Sequence, residues 1–358
     1  PLAAALRYNR AMRYLELGPS ERVAVVMPTW LGDVVMATPT LRALREVAGE
    51  RHITCLISSA MRPVLEPCPW ADAIASVDAW QVTTLAGRLR AGRFDAVILL
   101  PNSFRWALAA RLANVRRRIG YDRDGRGWLL SDRLLPLRDG ARFVPTPTLD
   151  YYLGIARYLG AESPDTRMQL AVDPAADQKA DELLAARHGG DGPVVLLNPG
   201  ASYGSAKLWP ADRFAAVADA LVARHGATVL VSGAPDERTI LDRVHAAAQH
   251  ELIDLPGAGV DLATLKGVIR RCDLMVTNDT GPRHIAAAFD VAVVTVFGPT
   301  DPRWAEVDFE HERQLRVDVA CSPCQRKVCP IDHRCMTRID VDMVLARCES
   351  LLPEPTAA

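Results

Sequence analysis

The apolar positions of this chain come in short blocks separated by stretches of helical spacing. Val23-Ala24-Val25-Val26-Met27 is the first block. It is apolar without alternation, the pattern of a strand covered on both faces in a parallel sheet. Further blocks at His52–Ile57, 96–100 and 118–121 predict strands. Between them, Leu41, Leu44 and Val47 and the run 107–112 repeat at helical spacing and predict helices. A helix is expected over 150–159, and the turn formers of 162–174 mark a linker.

The same alternation then starts again. Strands are expected at 194–197, Thr228–Val231, 252–255, 274–277 and 291–297. Helices are expected at 175–188, 210–225, 262–271 and 284–289, with Pro210 in a first turn, where its missing N–H costs nothing. Strands alternating with helices of this length mean βαβ units and parallel sheets. The fold class is therefore α/β, with two doubly wound parallel-sheet domains at 22–174 and 175–358 after a helical lead-in at 1–21. Ligands of such sheets sit beyond the carboxyl ends of the strands, so the turns there are where chemistry is sought.

Four turns stand out. Thr29-Trp30-Leu31-Gly32-Asp33 combines a glycine that permits a tight turn with a carboxylate at a helix start. Asp33 either caps that helix or faces the cleft between the domains as a general base. Asn198-Pro199-Gly200-Ala201-Ser202-Tyr203-Gly204-Ser205-Ala206-Lys207 is a small-residue loop ending in a lysine. Exposed N–H groups and one cation suit a phosphate, although the spacing is not that of a nucleoside-triphosphatase loop. Thr277-Asn278-Asp279-Thr280-Gly281-Pro282-Arg283-His284 runs from a strand into a helix whose N-terminus favours anions. Thr280 suits a cap and Asp279 the hydroxyls of a sugar, while a histidine in the place of His284 is more often structural than catalytic. Gly233-Ala234-Pro235-Asp236-Glu237 offers Asp236 and Glu237 for ribose hydroxyls or for a helix start.

Composition narrows the function classes. Formal net charge is -1, which gives no bulk attraction to nucleic acid. The chain has only four lysines, Lys179, Lys207, Lys266 and Lys327, so each is easier to weigh. No apolar run approaches the ~20 residues of a membrane span, and the first 19 residues lack the apolar core of a signal peptide. A cytoplasmic protein with reduced thiols is expected. Cys321, Cys324, Cys329 and Cys335, with His333 among them, are then a candidate structural metal site or a loop of free thiols. No glycine fingerprint of dinucleotide binding follows a strand, which weighs against a nicotinamide oxidoreductase.

With these turns in place, the chain resembles the lipopolysaccharide heptosyltransferases of glycosyltransferase family 9, in particular the heptosyltransferase II branch. The resemblance is carried by Met27-Pro28-Thr29-Trp30-Leu31-Gly32-Asp33 through Pro39, by Leu100-Pro101-Asn102-Ser103-Phe104, by Asn198-Pro199-Gly200-Ala201 with Lys207-Leu208-Trp209-Pro210, by Thr277 to Pro282 with His284, by Phe297-Gly298-Pro299-Thr300-Asp301-Pro302, and by the run ending Cys335-Met336. It implies a GT-B fold of two Rossmann-like domains facing across a cleft. It also implies inverting, metal-independent transfer of heptose from ADP-L-glycero-D-manno-heptose to inner-core heptose, with no cofactor required.

By position, Asp33 matches the family's base and Lys207 its phosphate-binding lysine, while Asp279, Thr280 and Gly281 match its donor turn. Ser202, Asp236, Glu237 and His284 join the donor candidates. Thr29, Trp30, Gly32, Asn102, Ser103, Arg105 and Arg123 are the acceptor candidates. Arg283 replaces a small or apolar residue more usual there. Arg116-Arg117-Arg118, Arg123 and Arg126 either meet anionic groups of a lipid-linked acceptor or form a solvated basic face. The implied location is the cytoplasmic face of the inner membrane, as a peripheral protein. The rival readings are a family-9 transferase with another nucleotide-sugar donor or acceptor, and a non-catalytic sugar-nucleotide-binding protein.

Overall fold

The computed structural model describes residues 22–79, 81–187 and 190–352, so the helical lead-in expected over 1–21 lies outside them. The chain divides into two units. The first runs to Ala171 and includes Arg303–Val307; the second is Val172–Pro302 with Asp308 onward. Of the linker expected at 162–174, residues 162–173 have no regular secondary structure, and Pro174 already opens the next helix.

In the first unit, strands β1 (Arg22–Val26), β2 (His52–Ile57), β3 (Ala73–Ser76), β4 (Ala96–Leu99), β5 (Arg117–Tyr121) and β6 (Asp132–Leu134) form one parallel sheet in the order β3-β2-β1-β4-β5-β6. The apolar block of β1 lies at its centre, with Val23 opposite both Ile53 and Ala96. Helices α1 (Leu31–Met36), α2 (Thr38–Ala48), α3 (Arg62–Leu65), α4 (Val82–Gly92), α5 (Phe104–Leu112) and α6 (Thr148–Tyr158) connect and cover the sheet. Ala24, Val26, Val97 and Leu99 meet Leu85 and Leu89 of α4 and Ala107 and Ala110 of α5 in one core. Each large side chain so buried stabilises by roughly 1.5–3 kcal/mol. A hairpin, β7 (Arg138–Asp139) with β8 (Arg142–Phe143), stands outside the sheet.

The second unit repeats the plan. After α7 (Pro174–Arg187), strands β9 (Val194–Asn198), β10 (Thr228–Val231), β11 (Ile253–Asp254), β12 (Leu274–Asn278), β13 (Ala292–Val296) and β14 (Glu312–Leu315) take the order β11-β10-β9-β12-β13-β14, again all parallel. Its helices are α8 (Ala211–His225), α9 (Arg238–Ala247), α10 (Leu262–Ile269), α11 (Gly281–Ala288), α12 (Arg334–Thr337) and α13 (Val341–Glu349). Trp209 and Phe214, ring centroids 5.0 Å apart, anchor a core that Leu221, Val294, Met336 and Leu345 complete.

Each sheet reverses direction at one point, between β1 and β4 in the first unit and between β9 and β12 in the second. The crevice at that switch is where this architecture binds ligands. Both pairs of turns that follow these strands are among the motifs singled out above.

Candidate functional site

The second unit builds its site from buried polar side chains at the ends of its central strands. Asn198, at the end of β9, donates to the hydroxyls of Thr277 and Thr280 at 3.3 and 3.1 Å and accepts from Ser232 at 3.0 Å. Asn278, at the end of β12, donates to the carbonyls of Pro199 and Gly200 at 2.7 and 3.2 Å and accepts from the Trp209 N–H at 3.1 Å. These amides tie the lysine loop to the turn before α11. At Gly204, φ is +154° and an added Cβ would stand 2.4 Å from the Lys327 carbonyl oxygen, so only glycine lets the loop pass there.

The loop delivers Lys207 onto Asp279. Lys207 Nζ donates to Asp279 Oδ2 at 2.6 Å and to the Asp279 carbonyl at 2.8 Å. Asp279 Oδ2 also accepts from the Thr300 hydroxyl at 2.8 Å, and its Oδ1 from Arg283 Nη1 at 3.1 Å. Burial alone would raise the Asp279 carboxyl, but the charges of Lys207 and Arg283 outweigh it and hold the group at about 2. Asp279 is therefore ionised, with Lys207 and Thr300 on Oδ2 and, among the described residues, Arg283 alone on Oδ1, which keeps acceptor capacity on Oδ1. Arg283, which the sequence showed only as a departure from the resembled family, is buried between Asp279 and Glu312, its Nε 2.6 Å from Glu312 Oε1.

Thr280 occupies the N-cap of α11 in extended conformation, yet no side chain caps the helix. Its hydroxyl joins Asn198 and Thr277 instead. This corrects the expected capping role: the Thr280 side chain does not cap the first N–H groups of α11, where the helix dipole favours an anion. His284 lies on the buried face of α11. Burial first, and Arg283 next, push its imidazole down to about 3, so it is neutral near pH 7 and adds no cation to the site.

The remaining donor candidates divide. Ser202 and Asp236 are exposed near the same strand ends. The Glu237 carboxylate accepts from the Ala234 N–H at 2.8 Å and lies against Gly200, where an added Cβ would meet it at 2.0 Å. Burial raises its pKa.

In the first unit, Thr29 and Trp30 are exposed at the end of β1, Trp30 at 54%, and Gly32 is buried. Trp30, not Asp33, occupies the N-cap of α1; Asp33 is half-buried in the first turn. It faces the buried phenol of Tyr152, whose pKa rises through burial and then through the Asp33 charge. Beyond β4, Asn102 Oδ1 accepts from Arg126 and from the Tyr151 hydroxyl, both at 3.1 Å. Ser103 caps α5 through a 3.4 Å bond from the Trp106 N–H, and Arg105 is exposed on the first turn. Arg123 lies over the Phe143 ring at 4.2 Å.

The basic cluster is largely spent inside the unit. Arg126 is fully buried and donates to the carbonyls of Tyr121 and Pro101. Arg117 pairs with Asp132 at 2.6 Å, and Arg118 donates to the Leu129 carbonyl at 2.7 Å. Arg126 therefore cannot meet an external anion, a correction to the reading of this cluster.

Cys321, Cys324, Cys329 and Cys335 are free thiols that line, with His333, one cavity of about 280 Å³. Among the described residues no group of three or more histidine, cysteine, aspartate or glutamate side chains is arranged to hold a metal ion. The loop's contacts point instead at the lysine loop. His333 Nε2 lies 2.6 Å from the Ala206 carbonyl, the Ala206 N–H donates to Lys327, and the Tyr203 hydroxyl donates to the Gln325 carbonyl.

Sequence reasoning missed Glu312 and Ser232 as members of the site, and read Asn198, Asn278 and Thr300 only as parts of motifs. A signal existed for the asparagines, since an amide closing an apolar parallel strand needs buried partners. None existed for Glu312, which reaches Arg283 across 29 positions of sequence.

Comparison with known proteins identifies the family and the fold. Residues 82–334 match glycosyltransferase family 9 (heptosyltransferase). The chain is 25% identical to the lipooligosaccharide heptosyltransferase 2 of Campylobacter jejuni over 92% of its own length and 98% of the relative's. It is 26% identical to the lipopolysaccharide heptosyltransferase 2 of Salmonella typhimurium over 93% and 99%. Among solved structures, the family 9 glycosyl transferase of Veillonella parvula superposes with a TM-score of 0.79 at 23% identity, covering 92% and 97% of the two chains. The Escherichia coli ADP-heptose lps heptosyltransferase II superposes at 0.77 and 24%, covering 92% and 98%. The two parallel α/β units thus have the GT-B fold class of these structures, and the chain belongs to glycosyltransferase family 9 and is a glycosyltransferase.

Proposed function

We propose that this chain transfers heptose from ADP-L-glycero-D-manno-heptose to the inner-core heptose of lipopolysaccharide, inverting the anomeric carbon and using protein groups where other transferases use a metal. The observation that carries the donor half is the Lys207–Asp279 pair beside the uncapped start of α11, at the switch point of the second sheet. A fixed ammonium and the N-terminal N–H groups of a helix match a diphosphate leaving group. The names of the relatives, heptosyltransferases of lipopolysaccharide or lipooligosaccharide, favour this substrate pair.

Asp33 is assigned the role of base. Its carboxylate takes the proton of the acceptor hydroxyl as that oxygen bonds to the anomeric carbon. The bond from that carbon to the β-phosphate oxygen breaks, and its electron pair leaves with ADP. Lys207 and the N–H groups at Thr280 and Gly281 offset the charge that builds there. Ammonium nitrogen has three N–H groups, and Asp279 occupies two, which leaves one for a phosphate oxygen. Thr29, Trp30, Asn102, Ser103, Arg105 and Arg123 are assigned to the acceptor side; Ser202 and Asp236 to the donor side.

The acceptor is lipid-linked, so the protein is assigned to the cytoplasmic face of the inner membrane as a peripheral protein. Among the described residues no helix is long and apolar enough to cross a membrane.

The test is ADP release and product mass from ADP-heptose with a heptosyl-Kdo-lipid A acceptor. Acceptor-dependent ADP with a gain of one heptose is expected. No ADP and no mass gain with a verified acceptor would overturn the substrate assignment.

A further inference from the structure

We propose that Arg283, gripped by Glu312, is a positioning residue for the donor diphosphate: it holds a counter-charge on Asp279 so that Lys207 can turn to the phosphate. The inference rests on the donor reading above.

Four alternating charges run inward from the site: Lys207, Asp279, Arg283 and Glu312. Side-chain exposure falls from 12% at Lys207 to 9% at Asp279 and 1% at Arg283, with Glu312 at 5%. Lys207 is the end that a ligand reaches. Arg283 is fixed on every side. Its Nη1 lies 3.1 Å from Asp279 Oδ1, its Nε and Nη2 lie 2.6 and 3.2 Å from the two oxygens of Glu312, and its guanidinium lies 5.1 Å from the Phe297 ring centre. Glu312 is held in turn by the Thr295 hydroxyl at 2.6 Å and the Gln314 amide at 3.0 Å. The neighbouring His284 is neutral and leaves the balance unchanged.

A buried ion pair is a poor device for stability alone, because an apolar side chain of similar volume serves as well or better. Its value here is electrostatic. With Lys207 as its only cation, Asp279 would hold the ammonium back and repel an incoming phosphate of like charge. Arg283 neutralises Asp279 from the opposite oxygen, so Lys207 can share its charge with the ligand while Asp279 stays ionised and in place. Arg283 touches neither phosphate nor sugar in this reading; it acts through Asp279 and Lys207.

The test is ADP affinity by calorimetry, in wild type, in Arg283→Gln/Glu312→Gln, in Lys207→Met, and in the triple variant. The double variant removes both inner charges and keeps a polar amide at each position, near-isosteric at Glu312 and shorter at Arg283. It is expected to bind ADP about tenfold or more weakly, and the same change in the Lys207→Met background is expected to cost less than about twofold. Arg283→Lys, which keeps the charge without the fork, is expected to recover most of the affinity. Unchanged ADP binding in the double variant, or a full additional loss in the Lys207→Met background, overturns the proposal, since a merely structural role would be additive. If the double variant does not melt cooperatively, Glu312→Gln alone decides. It leaves Arg283 on Asp279 with its charge no longer shared and is expected to bind ADP more tightly, whereas unchanged or weaker binding overturns the proposal. Failure of wild type itself to bind ADP would be a failure of the donor reading, and is seen before any variant is compared.

Discussion

At the switch point of the first sheet the chain places Asp33, Asn102 and the exposed ring of Trp30; at the same point of the second it places Lys207, Asp279 and the buried pair Arg283–Glu312. Strand order is identical, so topology sets where each site lies and not what it does. The difference is in how charge is held. The first site keeps one half-buried carboxylate with exposed neighbours, which suits a group that must meet a varied polar acceptor and exchange a proton. The second locks its charges to each other, which suits a site that must present a cation to one kind of leaving group without reorganising.

The largest expected effect breaks the first half of that contrast. Asp33→Asn should lower kcat by about 100-fold or more while ADP affinity and melting temperature stay at wild-type values. Turnover within threefold of wild type would remove Asp33 as base and leave the first site a binding surface only.

Next in size, Lys207→Met should lower kcat/KM for the ADP-sugar by roughly 10²-fold, with weaker ADP binding and an unchanged acceptor KM. A loss confined to the acceptor KM would mean that the contrast has been drawn the wrong way round.

These two residues were legible in the sequence because each lies in a turn directly after an apolar strand block, and the strand blocks themselves were plain. β2 and β10 were found at their observed bounds, since a continuous apolar run in the middle of a parallel sheet has few other readings. Of the four edges, only β11 was anticipated, by the strand expected at 252–255. β3, β6 and β14 are three or four residues long, and half-buried or mixed in burial, too short for a period to declare itself. Helices α4 and α13 were missed because no recognised turn pointed to them, and α9 was not drawn although the turn at 233–237 that opens it was read as a possible helix start. The charge network was invisible for another reason: Glu312 sits on one of the missed edge strands, and its partner is set by packing across the unit. Motifs mark positions, as they did for Thr300, whereas a partner such as Glu312 belongs to the tertiary fold.

Acid sensitivity should separate the two units by a smaller but measurable margin. His284 is at about 3 in the folded state against an ordinary value near 6.5. In that window the unfolded chain binds the extra proton, so stability is complete above pH 6.5 and falls as pH drops toward 3, by at most about 1.4 kcal/mol per pH unit. Asp279, held at about 2, adds a loss only as pH falls below the ordinary carboxylate range. In the first unit, burial would raise Asp132, but Arg117 and Ser131 hold it below its ordinary value, so its contribution too survives until pH falls below about 4. Hydrogen exchange followed peptide by peptide from pH 6.5 to 4.5 should therefore show the second unit loosening first, and His284→Gln should flatten that trend. Equal loosening of both units would mean that His284 does not dominate the acid response.

The smallest effect tests whether the exposed groups of the first site touch substrate at all. Trp30 is 54% exposed at the N-cap of α1, beyond the end of a central strand, so its ring is open to a ligand. Arg105 is exposed on the first turn of α5, beyond the neighbouring central strand. Neither side chain supports the core, so Trp30→Ala and Arg105→Ala should leave melting temperature and ADP affinity unchanged. Each should raise the acceptor KM by about three- to tenfold, the range of one stacking or one exposed ionic contact. A truncated acceptor lacking its anionic sugars should abolish the Arg105 effect and preserve that of Trp30. If both variants keep the wild-type acceptor KM, the acceptor is held by other groups. The contrast between an open site and a locked one would then rest on Asp33 alone.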